Sequence, residues 1–518
     1  MCAVLALCLP AATSAETLAD AIASAYDRNP QMVQERYLQK ARDEIVVQAR
    51  SQYGPTVTVQ SQGEHVYEKQ SILPHIVEDR QETTLTVNQP LYTSGRLRGQ
   101  LAAAQAQMLG GREQVRLTEE QLVQDVVQVY AAVLRDEARL EVGRENVEIL
   151  RGQLRQNTKR QQYGDVTLTD VAQSDSRLAA AELQLASLDA ALVVSRSQYL
   201  QIVGHNPGEL EPLPQLGTLP PTIDAAFDLA EQNNPNLRIA QYAESQSSAT
   251  AASTRGSGGP TVSLFGEGIS QNSALLRVGG NSASKQVVGG FTVTQPIFSS
   301  GLVRSQVREA DARNRADQAG IDLARRQVVQ SVTSAWVQLS AARVAVSTGQ
   351  RQVDSAQQAF AGMSCEELNG LREPIETLNA EEELQAAQLE LLQNRFQVYV
   401  SHAALLAATG DLSAQQIATN ITVYDPEANF RRIRYAGSTP FEFIAQGVDR
   451  IGSANPRGPF SADLSGANVP RPDKTVALAS APGRALMNQK LTPITQSKLK
   501  LPDGDTARCP LNDNRPRR

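Results

Sequence analysis

Aromatic side chains are scarce, only 4% of the 518 residues, and tryptophan occurs once, as Trp336. A large catalytic core normally draws more of its mass from rings, so the shortage argues against a globular enzyme. Histidine is equally sparse: His65, His75, His205 and His402 are scattered, and no Cys or His spacing suits a metal. No phosphate-binding Gly-Lys-Ser/Thr loop and no nucleophile elbow occurs, which points to a non-enzyme without metal or cofactor. Charge of one sign is also lacking, since a net charge of −6 names no polyanionic partner and disfavours nucleic acid. Of four cysteines, two fall in an apolar leader, leaving Cys365 and Cys509 to make one disulfide or none. Past the leader no apolar run reaches the roughly 18 residues that a membrane helix needs, so entry into a membrane would have to be through strands.

That leader, residues 1–15, is a short apolar stretch closing on the small residues Thr13-Ser14-Ala15. It has the pattern of a secretory signal cut after Ala15, although no Lys or Arg precedes it. Cys8 follows the bulky Leu7 and is a poor site for lipid attachment.

What the chain does contain is itself, twice. Gln89-Pro90-Leu91-Tyr92-Thr93-Ser94-Gly95 returns as Gln295-Pro296-Ile297-Phe298-Ser299-Ser300-Gly301. Asn29-Pro30 returns as Asn234-Pro235, and Gly204 as Gly410, at nearly the same offset. A repeat of about 200 residues is far longer than a solenoid unit, so it is a duplicated half-domain in one pseudo-symmetric body. The expected division is a first repeat over 16–205, a linker over 206–220, a second repeat over 221–424 and a tail over 425–518.

Each copy opens with a helical stretch, Thr17 to Ser51 and Ile223 to Thr254, followed by two alternating segments. Period two puts Val57 with Val59, Leu85 with Val87, Val262 with Leu264 and Phe291 with Val293 on an apolar face, and polar residues opposite. Residues 66 to 80 and 270 to 285 read as long polar turns, and each Gln-Pro as a strand end, because proline cannot donate to the ladder. An ordinary surface hairpin fits these strands equally well.

From Ser94 to about Asn157, and from Ser300 to about Phe360, no proline interrupts a helical pattern. The first such helix would run roughly 95 Å at 1.5 Å per residue. Val115, Leu122, Val126, Val129, Val133, Leu140 and Val147 are matched step for step by Ile321, Val328, Val332, Ala335, Leu339, Val346 and Val353. Beyond a turn near 163 to 166, Leu178, Leu185, Leu192 and Tyr199 recur at sevens, as do Leu384, Leu391, Val398 and Leu405. Heptads mean coiled-coil packing, and flanking alanines widen the stripe as in a helix touching neighbours on both sides. A two-stranded coiled-coil scaffold accounts for the heptads but leaves the strands and the duplication unexplained.

Four strands cannot close a barrel, because about 8 is the fewest that spans a membrane and open edges in lipid strand unpaired backbone groups. Closure would need several copies. The paired Gln-Pro motifs, together with Gly370-Leu371-Arg372-Glu373-Pro374-Ile375-Glu376-Thr377-Leu378-Asn379-Ala380, resemble the TolC-type outer-membrane efflux family over about residues 16 to 424. The last stretch is close to that family's Gly-x-Arg-x-x-x-Asp-Val-Leu-Asn-Ala pattern. The resemblance implies a mainly α fold with a small β part. Each internally duplicated protomer of a trimeric channel-tunnel would give 4 strands to a 12-stranded β-barrel joined to a long α-helical barrel. It implies a homotrimer in the outer membrane and its lipid, extending into the periplasm. A periplasmic adaptor protein and an inner-membrane RND, ABC or MFS transporter would open it, and small toxic molecules or secreted polypeptides would leave through it.

On the same resemblance, the adaptor-contacting tip is Gly164, Asp165 and Val166 in one copy and Gly370 and Leu371 in the other. Thr169, Asp170 and Arg372 belong to a constriction that keeps this end shut, with Glu376 and Asn379 beside it. Arg372 and Glu376 are four apart at a helix start and can pair. Around a three-fold axis Glu376 would make a carboxylate ring. An ordinary solvated helix start with a fortuitous ion pair is the plainer reading. Glu376 and Asn379 stand where family members carry aspartates, and Glu367 where some carry tyrosine.

The tail holds 11 of the 25 prolines, and its Lys and Arg outnumber Asp and Glu by 15 to 9. Tyr424 to Gly452 has enough Phe, Ile and Tyr to pack on the body, and the remainder has the composition of a disordered chain. A basic tail could touch peptidoglycan or anionic lipid, or be merely solvated. A periplasmic adaptor also combines helical hairpins with strands, but would carry its hairpin once.

Overall fold

Each copy begins with two helices separated by Asn-Pro. In the computed structural model, which describes residues 15–68, 76–275, 280–418 and 421–451, the expected single opening stretch is split into α1 (Leu18–Arg28) and α2 (Pro30–Ser51). Pro30 has no amide hydrogen to continue the ladder, and Asn29 before it is extended, with its side chain accepting from Gln31 N. Asn29 Nδ2 also donates to the Ile202 carbonyl at 3.1 Å, so the break is tied to the body. The second copy repeats this through Asn234, which donates to the Ala408 carbonyl at 2.9 Å.

After α2 come β1 (Thr56–Glu68) and β2 (Ile76–Tyr92), then α3 (Arg96–Gln162) and α4 (Leu168–Val203). The second copy gives α5 (Ile223–Asn233), α6 (Pro235–Gly256), β3 (Thr261–Leu275), β4 (Gly280–Thr294), α7 (Leu302–Leu368) and α8 (Pro374–Thr409). The long helices α3 and α7 have 67 residues each and α4 and α8 have 36 each, so in these helices the duplication holds to the residue. At 1.5 Å per residue, α3 and α7 are ~100 Å long. The last elements among the described residues are α9 (Ala414–Ile417), α10 (Pro426–Ile433) and α11 (Pro440–Val448).

The four strands form one antiparallel sheet in the order β1-β2-β3-β4. Its register sets Val59 opposite Leu85, Val57 opposite Val87, Leu264 opposite Phe291 and Val262 opposite Val293. Leu85 pairs with Gly268 and Val87 with Gly266 across the junction between the copies. Since paired residues share a face, these apolar residues of all four strands lie on one side of the sheet. The strands are longer than their alternation suggested. They run on through Glu68 and Leu275 and resume at Ile76 and Gly280, cutting into the expected turns at 66 to 80 and 270 to 285. Strands of 13 to 17 residues overshoot an apolar band of about 25 Å, which is why their far ends are polar.

The repeated Gln-Pro…Ser-Gly motif is the strand-to-helix corner. Ser94 and Gly95, and Ser300 and Gly301, all have positive φ, from 50° to 82°. Only a pair of left-handed residues turns the chain this sharply, and a terminal glycine carries the second at little cost. Gln89 Nε2 donates to the Tyr53 carbonyl at 2.8 Å, and Gln295 Nε2 to the Gly258 carbonyl at 3.1 Å. The expectation that Gln-Pro ends the strand holds for β4 but not for β2. There pairing continues through Pro90 to Tyr92, with a register shift that absorbs the missing donor.

Side by side, α4, α3, α8 and α7 form the lower wall, and α2, α3, α6 and α7 the upper one. The main core lies where the levels meet, around Tyr26, Tyr130, Tyr199, Val126, Val332, Leu339, Tyr399 and Leu405. Leu378 with Val147 and Leu150, and Leu384 with Val353 and Leu391, continue it downward as heptad seams. One expectation fails here: α4 is long and apolar enough, by length and composition, to cross a membrane, with 28% of its most apolar stretch buried. Scattered Ser, Gln and Asp hid this from a search for unbroken apolar runs. α4 lies lengthwise on α3, and its exposed Leu183, Val193, Val194 and Leu200 form a broad outward stripe.

The tail climbs the outside of α2. Arg112 pairs with Glu427 at 2.6 Å, and Phe430 packs beside Val46 and Met108. Residues 1–14 of the expected leader, Gly452, and the stretch after it that was expected to be disordered lie outside the described residues.

Candidate functional site

The lower end of the wall is made by two helix-to-helix turns. Gly164 and Gly370 sit there at φ +82° and +73°. Asp165 N reaches back to the Arg160 carbonyl at 3.0 Å and Gly164 N to Gln161 O at 3.0 Å, a bonding pair that seals the last carbonyls of α3. Leu371 N to Glu366 O and Gly370 N to Glu367 O, both 2.9 Å, do the same for α7. Asp165, Leu371 and both glycines are exposed, and Val166 is half-buried.

Apolar surface surrounds these glycines. Tyr163 is 85% exposed and Leu371 68%, and Leu168 and Leu368 are exposed as well. Tyr163 lies in the turn expected at 163 to 166, whereas Leu168 and Leu368 were missed as tip residues. Their signal was present, because a large apolar residue beside a turn glycine has no core of its own to enter.

The five expected gate residues do not gather into one cluster. Arg372 Nη1 contacts Glu376 Oε2 at 3.0 Å and Arg372 Nε contacts Glu366 Oε2 at 2.8 Å. The hydrogen bond to Glu376, then that to Glu366, hold the guanidinium more firmly charged than usual. Glu366, which was not anticipated, makes the pair a triad across the α7–α8 turn. Asp170 serves its own helix: its Oδ2 accepts from Thr167 N and Oγ1, both at 2.8 Å, and its N donates to Thr167 Oγ1, closing a capping box at the start of α4. Thr169 beside it is exposed. Asn379 joins neither set, and its Oδ1 accepts from Arg177 Nη2 at 2.9 Å.

Arg177 lies on α4 and also pairs with Glu382 on α8. Above it, buried Glu381 of α8 lies against the side-chain amide of Asn146 on α3, which can donate to the carboxylate once its nitrogen is turned toward it. Burial pushes the Glu381 carboxyl up to about 7, Glu382 adds to the rise and Arg177 opposes it. At the tip Arg160 of α3 pairs with Glu367 of α7 at 3.3 Å. Thus Asn379 belongs to a ladder of polar contacts between the hairpin of the first copy and that of the second.

A single open sheet with one apolar face, continuous with a wall of helices ~100 Å long that ends in sealed turns, defines a protomer of a membrane-anchored tunnel. The chain belongs to the outer membrane efflux protein family, whose pattern matches residues 21–205 and 226–411. It is 28% identical over 425 residues to the outer membrane efflux protein BepC of Brucella suis biovar 1 (strain 1330), covering 82% of this chain and 91% of that one. It is 26% identical over 338 residues to the outer membrane protein TolC of Escherichia coli (strain K12), covering 60% and 68%. The fold matches the Campylobacter jejuni CmeC outer membrane channel with a TM-score of 0.69 at 14% identity, covering 80% of this chain and 88% of that one. The family is one of outer-membrane channels and not of enzymes, and its members reside in the outer membrane and extend into the periplasm. Membership sets aside the adaptor and coiled-coil scaffold readings.

Proposed function

We propose that the protein is the exit duct of a tripartite efflux or type I secretion system, a passive conduit for small toxic molecules or secreted polypeptides. One observation carries this reading: the sheet and the helical wall are open on the same two sides. Among the described residues β1 and β4 are the edge strands, and the wall ends on one side in α2 above and α4 below and on the other in α7. Three copies supply twelve strands, a number that closes a barrel, and the same three close the wall. The apolar stripe of α4 then meets the neighbouring copy's α7 and not lipid.

In this reading the exposed apolar tip takes the adaptor's helical hairpins, and an inner-membrane RND, ABC or MFS transporter drives opening. Arg372 and Glu376 brace the closed end, Thr169 and Asp170 face them across the constriction, and three copies of Glu376 ring the pore. Reconstituted trimer in a planar bilayer tests the passive-conduit part. It would give a small, cation-preferring conductance that persists without any energy source. A protein that conducts nothing until a nucleotide is added would refute it.

A further inference from the structure

Helix α11 is amphipathic the wrong way round for a protein surface in water. Its acidic residues are buried against the body: Glu442 and Asp449, which caps its end, are 2% and 1% exposed. Arg50 Nε meets Glu442 Oε1 at 2.8 Å. Asp449 Oδ1 accepts from Thr93 N at 2.6 Å, Thr93 Oγ1 at 3.0 Å and Gly95 N at 3.1 Å, and Tyr53 OH donates to Oδ2 at 3.4 Å. On the opposite face Phe441, Phe443, Ile444 and Val448 are exposed, and Ile451 follows just beyond. Buried carboxylates therefore lock the helix in an orientation that turns two phenylalanines outward, where water gives no return for them.

Its place in the fold names what covers that face. Thr93 and Gly95 form the corner where β2 passes into α3, and Tyr53 lies just before β1, so α11 sits at the tunnel-side rim of the sheet. Val57, Val87 and Val293, the ends of the sheet's apolar face, reach the same rim. Arg431, Arg432 and Arg434 cluster at the end of α10 nearby, with the Arg434 guanidinium 4.8 Å above the ring of exposed Tyr435. Apolar side chains backed by arginine and tyrosine match the chemistry of a membrane interface.

We propose that α11 is an interfacial helix whose occupant is phospholipid of the periplasm-facing leaflet. Phe441, Phe443, Ile444 and Val448 enter the acyl boundary, and Arg432 and Arg434 at the end of α10 meet the phosphates, while Arg431 pairs with Asp425. In the assembled duct these helices form a collar that fixes the depth of the barrel. This rests on the barrel reading above.

The test uses full-length protein in vesicles of phosphatidylethanolamine and phosphatidylglycerol, with plain or brominated acyl chains. Trp336, buried in the helical core, gives a baseline that bromine does not quench. Phe443→Trp adds one emitter on α11, and Val59→Trp adds one on the apolar face of β1. The expected result is that bromine cuts both added emissions to about half or less, as an insertion depth of 5–10 Å requires. Quenching at Val59→Trp with a blue, unquenched Phe443→Trp means that protein, a second copy, covers the helix. A red, unquenched Phe443→Trp means that it faces water. Either result overturns this proposal and leaves the barrel standing, whereas quenching at neither position removes the barrel reading as well.

Discussion

Arg177 on α4 donates to Asn379 on α8 at 2.9 Å and pairs with Glu382 one turn away, so the hairpin of each copy grips the other just above the helix-to-helix turns. Arg177→Ala removes both contacts at once. Because Arg177 and Glu382 are well exposed, the loss is about 1 kcal/mol or less after solvent screening. The expected effect is local: amide exchange speeds up in the lower turns of α4 and α8, with the main core unchanged. Exchange that rises equally around Tyr130 and Tyr399 would show that the contact supports the whole fold instead.

Arg372→Ser leaves Glu366 and Glu376 facing each other without their shared cation. Single-channel recording is expected to show basal conductance raised a few-fold. A leak no larger than that of wild type removes Arg372 from the gate.

Glu376→Gln abolishes the proposed carboxylate ring while keeping side-chain size. Cation preference and block by divalent ions are both expected to weaken. Unchanged selectivity would place these carboxylates away from the pore axis.

Glu381 makes the grip sensitive to pH. Its folded-state value is raised from 4.5 to about 7, so its stabilising effect is complete below about 4.5 and is lost as pH rises through about 7. The loss amounts to on the order of 3 kcal/mol per protomer at most. Amide exchange near Leu378 and Val147, corrected for intrinsic base catalysis, is expected to be faster at about pH 8 than at about pH 6. Glu381→Gln, uncharged at either pH, is expected to erase that difference. A variant as pH-sensitive as wild type would assign the effect to another group.

Much of this architecture was legible because duplication lets two weak patterns vouch for each other. The heptads of α3 reappear in α7, and the alternation of β1 and β2 reappears in β3 and β4 with matching faces. The errors lie where one residue does work that a pattern cannot express. Asn-Pro reads as a tolerable position inside a helical stretch, yet Asn29 and Asn234 end one helix, cap the next and bind a distant carbonyl. Pro90 passes through a paired strand because a bulge absorbs its missing donor. At the tip, residue types and turn glycines were readable, and the Arg372–Glu376 pair followed from spacing alone. Arg177, Glu366 and Glu381 were not, since their partners come from other helices or from beyond the turn, and periodicity says nothing about such partners. The inverted helix α11 was hidden for the same reason: only the fold shows that its acids face inward.

The account rests on closure by copies of the same chain. Protein extracted from outer membranes in mild detergent, sized by sedimentation and imaged by electron microscopy, tests this most directly. The expected result is a heat-modifiable trimer seen as a hollow cylinder, with a short membrane collar and a helical tube ~100 Å or more in length. A monodisperse monomer with no lumen would contradict it.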